Sequence, residues 1–195
     1  MSNRELYAVI LAAGSGRRFG GIKQLAAWQG TTLVAQAARN AESVCGPRSV
    51  LVIGGEHGRQ VHEAAAPLAG YFVVNEHAAD GMGTSLAAAA RALRAVAGGV
   101  MITLADQPLV NAEHLENLAG TWRRDTSRIV ATRFSGRLGP PVIFPRRCLA
   151  ALRSLTGDQG ARDVIRDDPS PVLACDFEPA AVDIDEPSDL ERFQP

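Results

Sequence analysis

Hydrophobic residues occur along the chain as short unbroken runs, separated by longer segments in which apolar positions recur at helical spacing. We predict strands at six of the short runs: Tyr7–Ala13, Ser49–Gly54, Tyr71–Asn75, Val100–Leu104, Ile129–Thr132 and Val142–Phe144. Near-continuous apolar runs of this length are typical of strands that are covered on both faces.

The longer segments between these runs predict helices. Five are expected: Thr32–Ala41, Arg59–Ala66, Thr84–Val96, Ala112–Trp122 and Arg146–Leu155. In the third, Leu86, Ala90 and Leu93 recur at helical spacing. Repeated strand–helix alternation predicts an α/β fold with a doubly wound, mostly parallel sheet, helices on both faces, and ligands at the carboxyl ends of the strands. Proline-containing turns interrupt the last third, which we expect to decorate this sheet, so that residues 1–195 form one domain.

Composition narrows the function. The 195 residues are 46% hydrophobic with a net charge of −1, which excludes a disordered chain. Because 20 basic residues balance 21 acidic ones, we predict no nucleic-acid partner, and the absence of a run of about 20 apolar residues predicts no membrane span. Cys45, Cys148 and Cys175 show neither metal-ligand spacing nor a disulfide framework, which favours a cytoplasmic location.

The segment Gly14–Lys23, directly after the first predicted strand, is the strongest candidate for phosphate binding. Four glycines let backbone N–H groups approach a phosphate, while Arg17, Arg18 and Lys23 add positive charge. Lys23 is the only lysine of the chain. An ordinary strand-to-helix turn accounts for one or two glycines, but not for the three cations. The spacing matches neither the P-loop nor the dinucleotide-binding motif, since Gln24 follows the lysine and Phe19 replaces the third glycine.

Carboxylates at two other places could hold a divalent cation. Asp106 follows the strand Val100–Leu104, where ligands bind in a doubly wound sheet; it could instead cap the next helix, but Asn111 can serve as that cap. In an extended segment Asp183 and Asp185 would share one face, opposite Ile184, and two carboxylates suit Mg²⁺. A solvated acidic turn before a last helix would give the same residues, and the spacing does not choose between Asp183 and Asp185.

Leu11-Ala12-Ala13-Gly14, followed by Arg18, Gly20 and Lys23, resembles the signature loop of the MobA-like nucleotidyltransferases, and most closely that of the molybdenum cofactor cytidylyltransferases. The resemblance extends to Leu190 through further segments in the family's order: Gly81–Leu86, Leu104–Pro108, Gly139–Phe144, Thr156–Arg162 and Asp183–Leu190. The sequence departs from the family at Gly16, Phe19 and Pro140, where serine, methionine and a polar residue are usual.

The resemblance implies a Rossmann-like nucleotidyltransferase fold and a set of site residues. It implies catalytic roles for Arg18, Lys23 and Asp106, and Mg²⁺ on Asp106 and Asp185. Implied nucleotide contacts are Leu11, Ala12, Ala13, Gly14, Ser15, Gly16, Arg17, Lys23, Gly83, Thr84 and Ser85; implied acceptor contacts are Pro141, Gly157, Asp158 and Gly160. By position alone Thr84 is expected to cap a helix. The four histidines form no ligand or catalytic cluster, so we expect surface or structural roles for them.

The reaction implied by the resemblance is attack of the terminal phosphate of a molybdopterin-type cofactor on the α-phosphorus of CTP, with release of pyrophosphate. The implied partners are these substrates and a recipient molybdoenzyme or its accessory proteins. A guanylyltransferase that uses GTP is the main rival, although Leu-Ala-Ala-Gly and Thr84-Ser85-Leu86 favour CTP. The sequence is also compatible with a relative acting on another phosphorylated small molecule, with a non-catalytic cofactor chaperone, and with an NAD(P)-dependent oxidoreductase, for which Glu56 is only loosely placed.

Overall fold

The computed structural model describes residues 5–93 and 97–193, and within them strands and helices alternate along the chain. The strands are β1 Glu5–Ala12, β2 Ala27–Trp28, β3 Thr31–Thr32, β4 Val50–Gly54, β5 Tyr71–Val74, β6 Ala97–Leu104, β7 Val130–Phe134, β8 Arg137–Pro145 and β9 Leu173–Asp176. The α-helices are α1 Leu33–Cys45, α2 Gly58–Ala65, α3 Met82–Ala92, α4 Ala112–Arg124, α5 Leu149–Arg153, α6 Ala161–Asp167 and α7 Pro187–Phe193.

Seven strands form one sheet in the order β5-β4-β1-β6-β8-β7-β9, and β2 pairs with β3 in a separate small hairpin. Only β8 runs antiparallel to its neighbours in this sheet. The predicted α/β architecture with a mostly parallel sheet is therefore confirmed. The antiparallel direction of β8 follows from its tight connection to β7 through Ser135 and Gly136, because a two-residue loop joins strands only in that way.

Side chains of β1 alternate between two buried layers. Val9 and Leu11 belong to the apolar cluster that contains Leu86 of α3 and Leu152 of α5, while Ile10 belongs to the cluster that contains Val34 of α1. A third cluster packs α4 on the same sheet through Leu118 and Trp122. Helices thus cover both faces of the sheet, which explains why its central strands are apolar at successive positions.

The structure corrects several boundaries. The helix predicted at Thr84–Val96 begins at Met82 and ends at Ala92, while Val96 lies outside the described residues. Thr84 therefore lies inside the first turn, and its expected role as a cap is wrong. The α-helix predicted at Arg146–Leu155 covers only Leu149–Arg153, preceded by a 3₁₀ turn.

The last third of the chain does more than decorate the sheet. It contributes β8 and the edge strand β9, which pairs in parallel with β7. The sequence pattern did not predict β9, because this strand has only four residues, ends on the polar Asp176 and follows two prolines. Among the described residues, no helix is both long and apolar enough to cross a bilayer.

Candidate active site

The carboxyl ends of β1, β4, β5 and β6 lie at one edge of the sheet, where the ends of β1, β4 and β5 open onto a cleft of about 730 Å³, here called the main cleft. Because β4 and β6 lie on opposite sides of β1, the loops that follow β1 and its neighbours diverge and leave a crevice. The cleft is lined by Ala12, Ala13, Gly14, Ser15, Arg17, Gln24, Gly55, Glu56, His57, Val74, Asn75, Glu76, Ala78 and Ala79.

The glycine-rich loop after β1 folds back on itself beside this cleft. Gly16 has φ +60°, and a Cβ atom there would lie 2.3 Å from the carbonyl oxygen of Gly21, so the position requires glycine. The buried Gln24 side chain donates from Nε2 to the carbonyl oxygen of Gly14 at 2.7 Å, which holds the start of the loop in place. Gln24 is a positioning residue that the sequence analysis missed, although it directly follows Lys23.

Lys23 lies at the end of this loop and connects two carboxylates that are distant in sequence. Its Nζ donates to Asp106 Oδ2 at 2.7 Å and to Asp185 Oδ1 at 3.1 Å, and only 9% of its side chain is exposed. Burial by itself lowers the pKa of Lys23, but Asp106 and Asp185 outweigh it and raise the pKa above its ordinary value. The ammonium is therefore a buried fixed charge. At the surface, Arg18 forms a second, exposed ion pair with Asp185 at 3.3 Å.

Asp185 reaches Lys23 because the neighbouring Ile184 is anchored in the protein. Ile184 is fully buried against Trp28 and Leu33, and its backbone N–H donates to the carbonyl oxygen of Asp106 at 2.9 Å. The Asp189 carboxylate accepts a hydrogen bond from the backbone N–H of Asp185, at 2.9 Å. The side chain at position 184 points inward while the flanking aspartates remain accessible, as the alternation predicted.

Negative charge is concentrated around this point. Partial burial, together with the charges of Asp106 and Asp185, raises the pKa of Asp183 to about 6. No group of three or more His, Cys, Asp or Glu side chains converges on one metal position within residues 5–93 and 97–193. The carboxylates of Asp106 and Asp185 fit Mg²⁺, because this ion is commonly bound by one or two protein carboxylates. Water and substrate phosphates then complete its coordination.

The N-terminal turn of α3 lies next to the main cleft and is joined to it by Asn75, which lines the cleft. Asn75, at the carboxyl end of β5, is buried and donates from Nδ2 to Thr84 Oγ1 at 2.8 Å and to Ser85 Oγ at 2.9 Å. Its Oδ1 accepts from the backbone N–H of His77 at 3.1 Å. Asn75 thereby orients both hydroxyl residues. This role of Asn75 was not predicted from the sequence, although a polar residue at the end of a parallel strand is a signal of this kind of site.

The same turn of α3 contacts the 156–160 loop through its backbone. The N–H of Gly83 donates to the carbonyl oxygen of Gly157 at 2.9 Å, and a Cβ at position 83 would lie 2.7 Å from the Thr156 carbonyl oxygen. Gly157 and Gly160 flank the exposed Asp158 in this loop. The structure thus brings the segment predicted to contact nucleotide directly against a segment predicted to contact the acceptor.

A smaller hollow of about 260 Å³ lies beside the main cleft and shares Ala13, Gly14 and Ala78 with it. Leu11, Ser85 and Asp106 also line this hollow, so residues predicted for nucleotide and for metal share one surface.

Pro141 differs from the other predicted acceptor residues, because it is buried within β8. Its carbonyl oxygen accepts from Thr132 Oγ1 at 2.7 Å, and that hydroxyl is in turn 2.9 Å from Nε2 of the buried His114. Burial lowers the pKa of His114 to about 4, so its imidazole is neutral and structural at pH 7.

Comparisons with known proteins identify the family to which this fold belongs. A family model described as the MobA-like NTP transferase domain matches residues 8–172. The purine catabolism protein PucB of Bacillus subtilis is 28% identical over 173 residues, covering 85% of this chain and 83% of PucB.

Solved structures share the fold. Rv0371c from Mycobacterium tuberculosis superposes with a TM-score of 0.83 at 24% identity, covering 98% of each chain; its complex with manganese gives 0.77 at 23% identity and 97% of each chain. A nucleotidyl transferase from Methanothermobacter thermautotroptrophicus gives 0.81 at 21% identity, with 97% of this chain and 96% of that chain covered.

Proposed function

This chain belongs to the MobA-like NTP transferase family, and from that premise we propose that it transfers CMP from CTP to the terminal phosphate of a molybdopterin-type cofactor and releases pyrophosphate. The observation that carries the proposal is the buried Lys23 ammonium, which lies between Asp106 and Asp185 at the end of the glycine-rich loop. A metal–triphosphate can bind here because the two carboxylates can hold the metal and the cation can contact the phosphates.

The reaction needs positioning and charge neutralisation more than acid–base chemistry. The attacking phosphate oxygen is already anionic near neutral pH, so no side chain has to remove a proton from it. Backbone N–H groups of the loop from Gly14 to Arg17 bind the phosphates, and Lys23 and Arg18 offset the charge that develops on the departing pyrophosphate.

Asp106 and Asp185 are the residues that would hold Mg²⁺. When bound, the ion supplies Lewis-acid neutralisation of phosphate oxygens. The manganese complex of Rv0371c supports a divalent cation in this fold. Lys23 has the separate task of contacting phosphate, because a metal held by Asp106 and Asp185 would bring the phosphates of the nucleotide next to its ammonium.

Ala13 supports CTP over GTP. It lines both the main cleft and the smaller hollow, so its methyl group occupies space beside the bound base. A pyrimidine requires less room than a purine, and the pocket therefore favours cytosine partly by exclusion.

The decisive experiment measures pyrophosphate release with CTP or GTP, each with Mg²⁺, in the presence and absence of purified molybdopterin cofactor. We expect release with CTP that depends on the cofactor. A preference for GTP would identify a guanylyltransferase. Pyrophosphate release that is independent of the molybdopterin cofactor but requires another phosphorylated small molecule would change the assigned acceptor. Nucleotidyl transfer itself would still stand. Stabilisation by NADH in a thermal-shift assay, without any nucleotidyl transfer, would overturn the proposal.

A further inference from the structure

The Lys23 ammonium occupies the place between the two carboxylates that would hold the divalent cation. We propose that Lys23 is the resident counter-ion of Asp106 and Asp185 in the nucleotide-free protein, that it excludes a divalent cation from them, and that the metal therefore enters together with the nucleotide. This inference rests on the proposed function, because it assigns the metal and the triphosphate to that same site.

The contacts account for both negative charges. Lys23 Nζ uses one oxygen of each carboxylate, at 2.7 Å for Asp106 and 3.1 Å for Asp185, and Arg18 pairs with the other oxygen of Asp185 at 3.3 Å. The two aspartates are thus matched by two cationic side chains of the protein itself. A dication added to this arrangement meets a fixed ammonium that is nearly buried, and repulsion between such charges is weakly screened away from water.

A nucleoside triphosphate changes this balance. Its phosphates bring several negative charges to the loop that ends at Lys23, and Gly14, Ser15 and Arg17 of that loop line the main cleft. The ammonium can then turn from the carboxylates to the phosphates, which releases Asp106 and Asp185 to the metal. Metal and nucleotide consequently bind with positive coupling, and this coupling is reciprocal.

The proposal predicts that removing a positive charge strengthens metal binding. Mn²⁺ affinity would be measured by electron paramagnetic resonance without nucleotide, in the wild type and in Lys23→Met. We expect Lys23→Met to bind Mn²⁺ at least about tenfold more tightly than the wild type. Equal or weaker binding by this variant would overturn the proposal, because the ammonium would then not compete with the metal.

Two matched variants separate charge from shape. Lys23→Arg keeps the positive charge that repels the metal, and we expect its Mn²⁺ affinity to stay within about threefold of the wild type. Arg18→Met removes a cation whose side chain is 72% exposed, so it should tighten Mn²⁺ binding less than Lys23→Met does. If Arg18→Met tightened binding as strongly as Lys23→Met, the effect would be one of overall charge, and the specific role of Lys23 would be refuted.

The wild type offers a measurement that needs no variant. Lys23 is the only lysine, so labelling with [13Cε]lysine gives a single side-chain signal from this site. We expect sub-stoichiometric Mn²⁺ alone to leave that signal sharp, and Mn²⁺ with CTP to broaden it by paramagnetic relaxation. Broadening by Mn²⁺ alone, or no broadening in either condition, would overturn the proposal even if Lys23→Met failed to fold.

The two proposals fail in different ways. Absence of pyrophosphate release with every nucleotide and acceptor would refute the enzymatic function, whereas the nucleotide-free Mn²⁺ affinities of the wild type and Lys23→Met test the exclusion by Lys23 on their own.

Discussion

The backbone N–H of Gly83 donates a 2.9 Å hydrogen bond to the carbonyl oxygen of Gly157, which joins the first turn of α3 to the 156–160 loop. Thr84 and Ser85 follow Gly83 and accept hydrogen bonds from Asn75, which lines the main cleft. One short helical turn thus connects the nucleotide side of the site to the loop proposed to contact the acceptor.

Replacing Gly83 by alanine is expected to displace this loop. The added Cβ would lie 2.7 Å from the Thr156 carbonyl oxygen, so the backbone must shift to make room for it. This shift should lower the free energy of unfolding by about 1–3 kcal/mol. Urea unfolding and steady-state kinetics test this: KM for the acceptor should rise about tenfold, because a small misplacement weakens positioning.

The matched control is Gly120→Ala in α4, where a Cβ meets no neighbouring atom within 4 Å. Because alanine is a better helix former than glycine, the free energy of unfolding of this variant should be about 0.5–1 kcal/mol higher than that of the wild type. If Gly83→Ala were as stable as Gly120→Ala and unchanged in acceptor KM, the contact with Gly157 would have no positioning role.

Lys23→Ala should lower turnover by at least about two orders of magnitude, since a desolvated contact to a phosphate is worth about 3 kcal/mol in the transition state. Pyrophosphate release under saturating CTP measures this. Arg124→Ala, which removes an exposed arginine at the end of α4, serves as a control for charge alone. Turnover of Lys23→Ala within about threefold of the wild type would remove Lys23 from the site.

Asp106→Asn should abolish most activity at ordinary Mg²⁺ concentrations while leaving the fold intact. The amide is nearly isosteric with the carboxylate, and its oxygen can still accept the hydrogen bond from Lys23. Thermal unfolding and activity would be measured on the same preparation. A melting temperature far below that of the wild type would mean that Asp106 is chiefly a structural partner of Lys23.

Ala13→Gly should raise the use of GTP and change that of CTP little, because the methyl group at this position narrows the pocket. Exclusion by one methyl group is worth about 1–3 kcal/mol, so the wild type should prefer CTP by about 10- to 200-fold in kcat/KM. Equal wild-type rates with the two nucleotides would overturn the cytidylyltransferase assignment and leave nucleotidyl transfer standing.

His114 should make the protein less stable in acid. Its pKa falls from 6.5 to about 4 on burial, so between these values the unfolded chain binds more protons than the folded one, and the free energy of unfolding decreases as pH falls. This contribution amounts to about 3 kcal/mol, fully present above pH 6.5 and lost by pH 4.

The comparison with His114→Gln isolates this effect. Asp183 contributes the opposite slope, because its pKa is raised to about 6 in the fold and its protonated form is favoured there. Urea unfolding at pH 7 and pH 4.5 should show a smaller loss of stability on acidification in His114→Gln than in the wild type. An equal loss in both proteins would show that the neutral His114 is not a source of the pH dependence.

Much of the architecture follows from local pattern. The run from Tyr7 to Ala13 predicts a buried strand because a strand covered on both faces must be apolar at every position, and β1 is packed by helices on both sides. Asn111 caps α4 as predicted, accepting from the backbone N–H of His114 at 2.9 Å, because this interaction needs only neighbouring residues. The resemblance to MobA-like nucleotidyltransferases is confirmed for the same reason, since its motifs are local segments in a fixed order.

Where neighbours in space are distant in sequence, the pattern was insufficient. The edge strand β9 has too few apolar residues to be recognised, and it forms because β7 offers unpaired backbone groups. Asn75 was counted as the end of a strand, and its contacts with Thr84 and Ser85 exist only after α3 has packed on the sheet.

Composition, glycine spacing and the single lysine determined that this protein has a cationic loop after its first strand. Only the tertiary structure decided what the lysine touches. Lys23 and Asp185 are 162 positions apart, and no local propensity links them. They meet because burial of Ile184 against Trp28 and Leu33 draws the C-terminal segment across the end of β6, where it carries its aspartates to the loop.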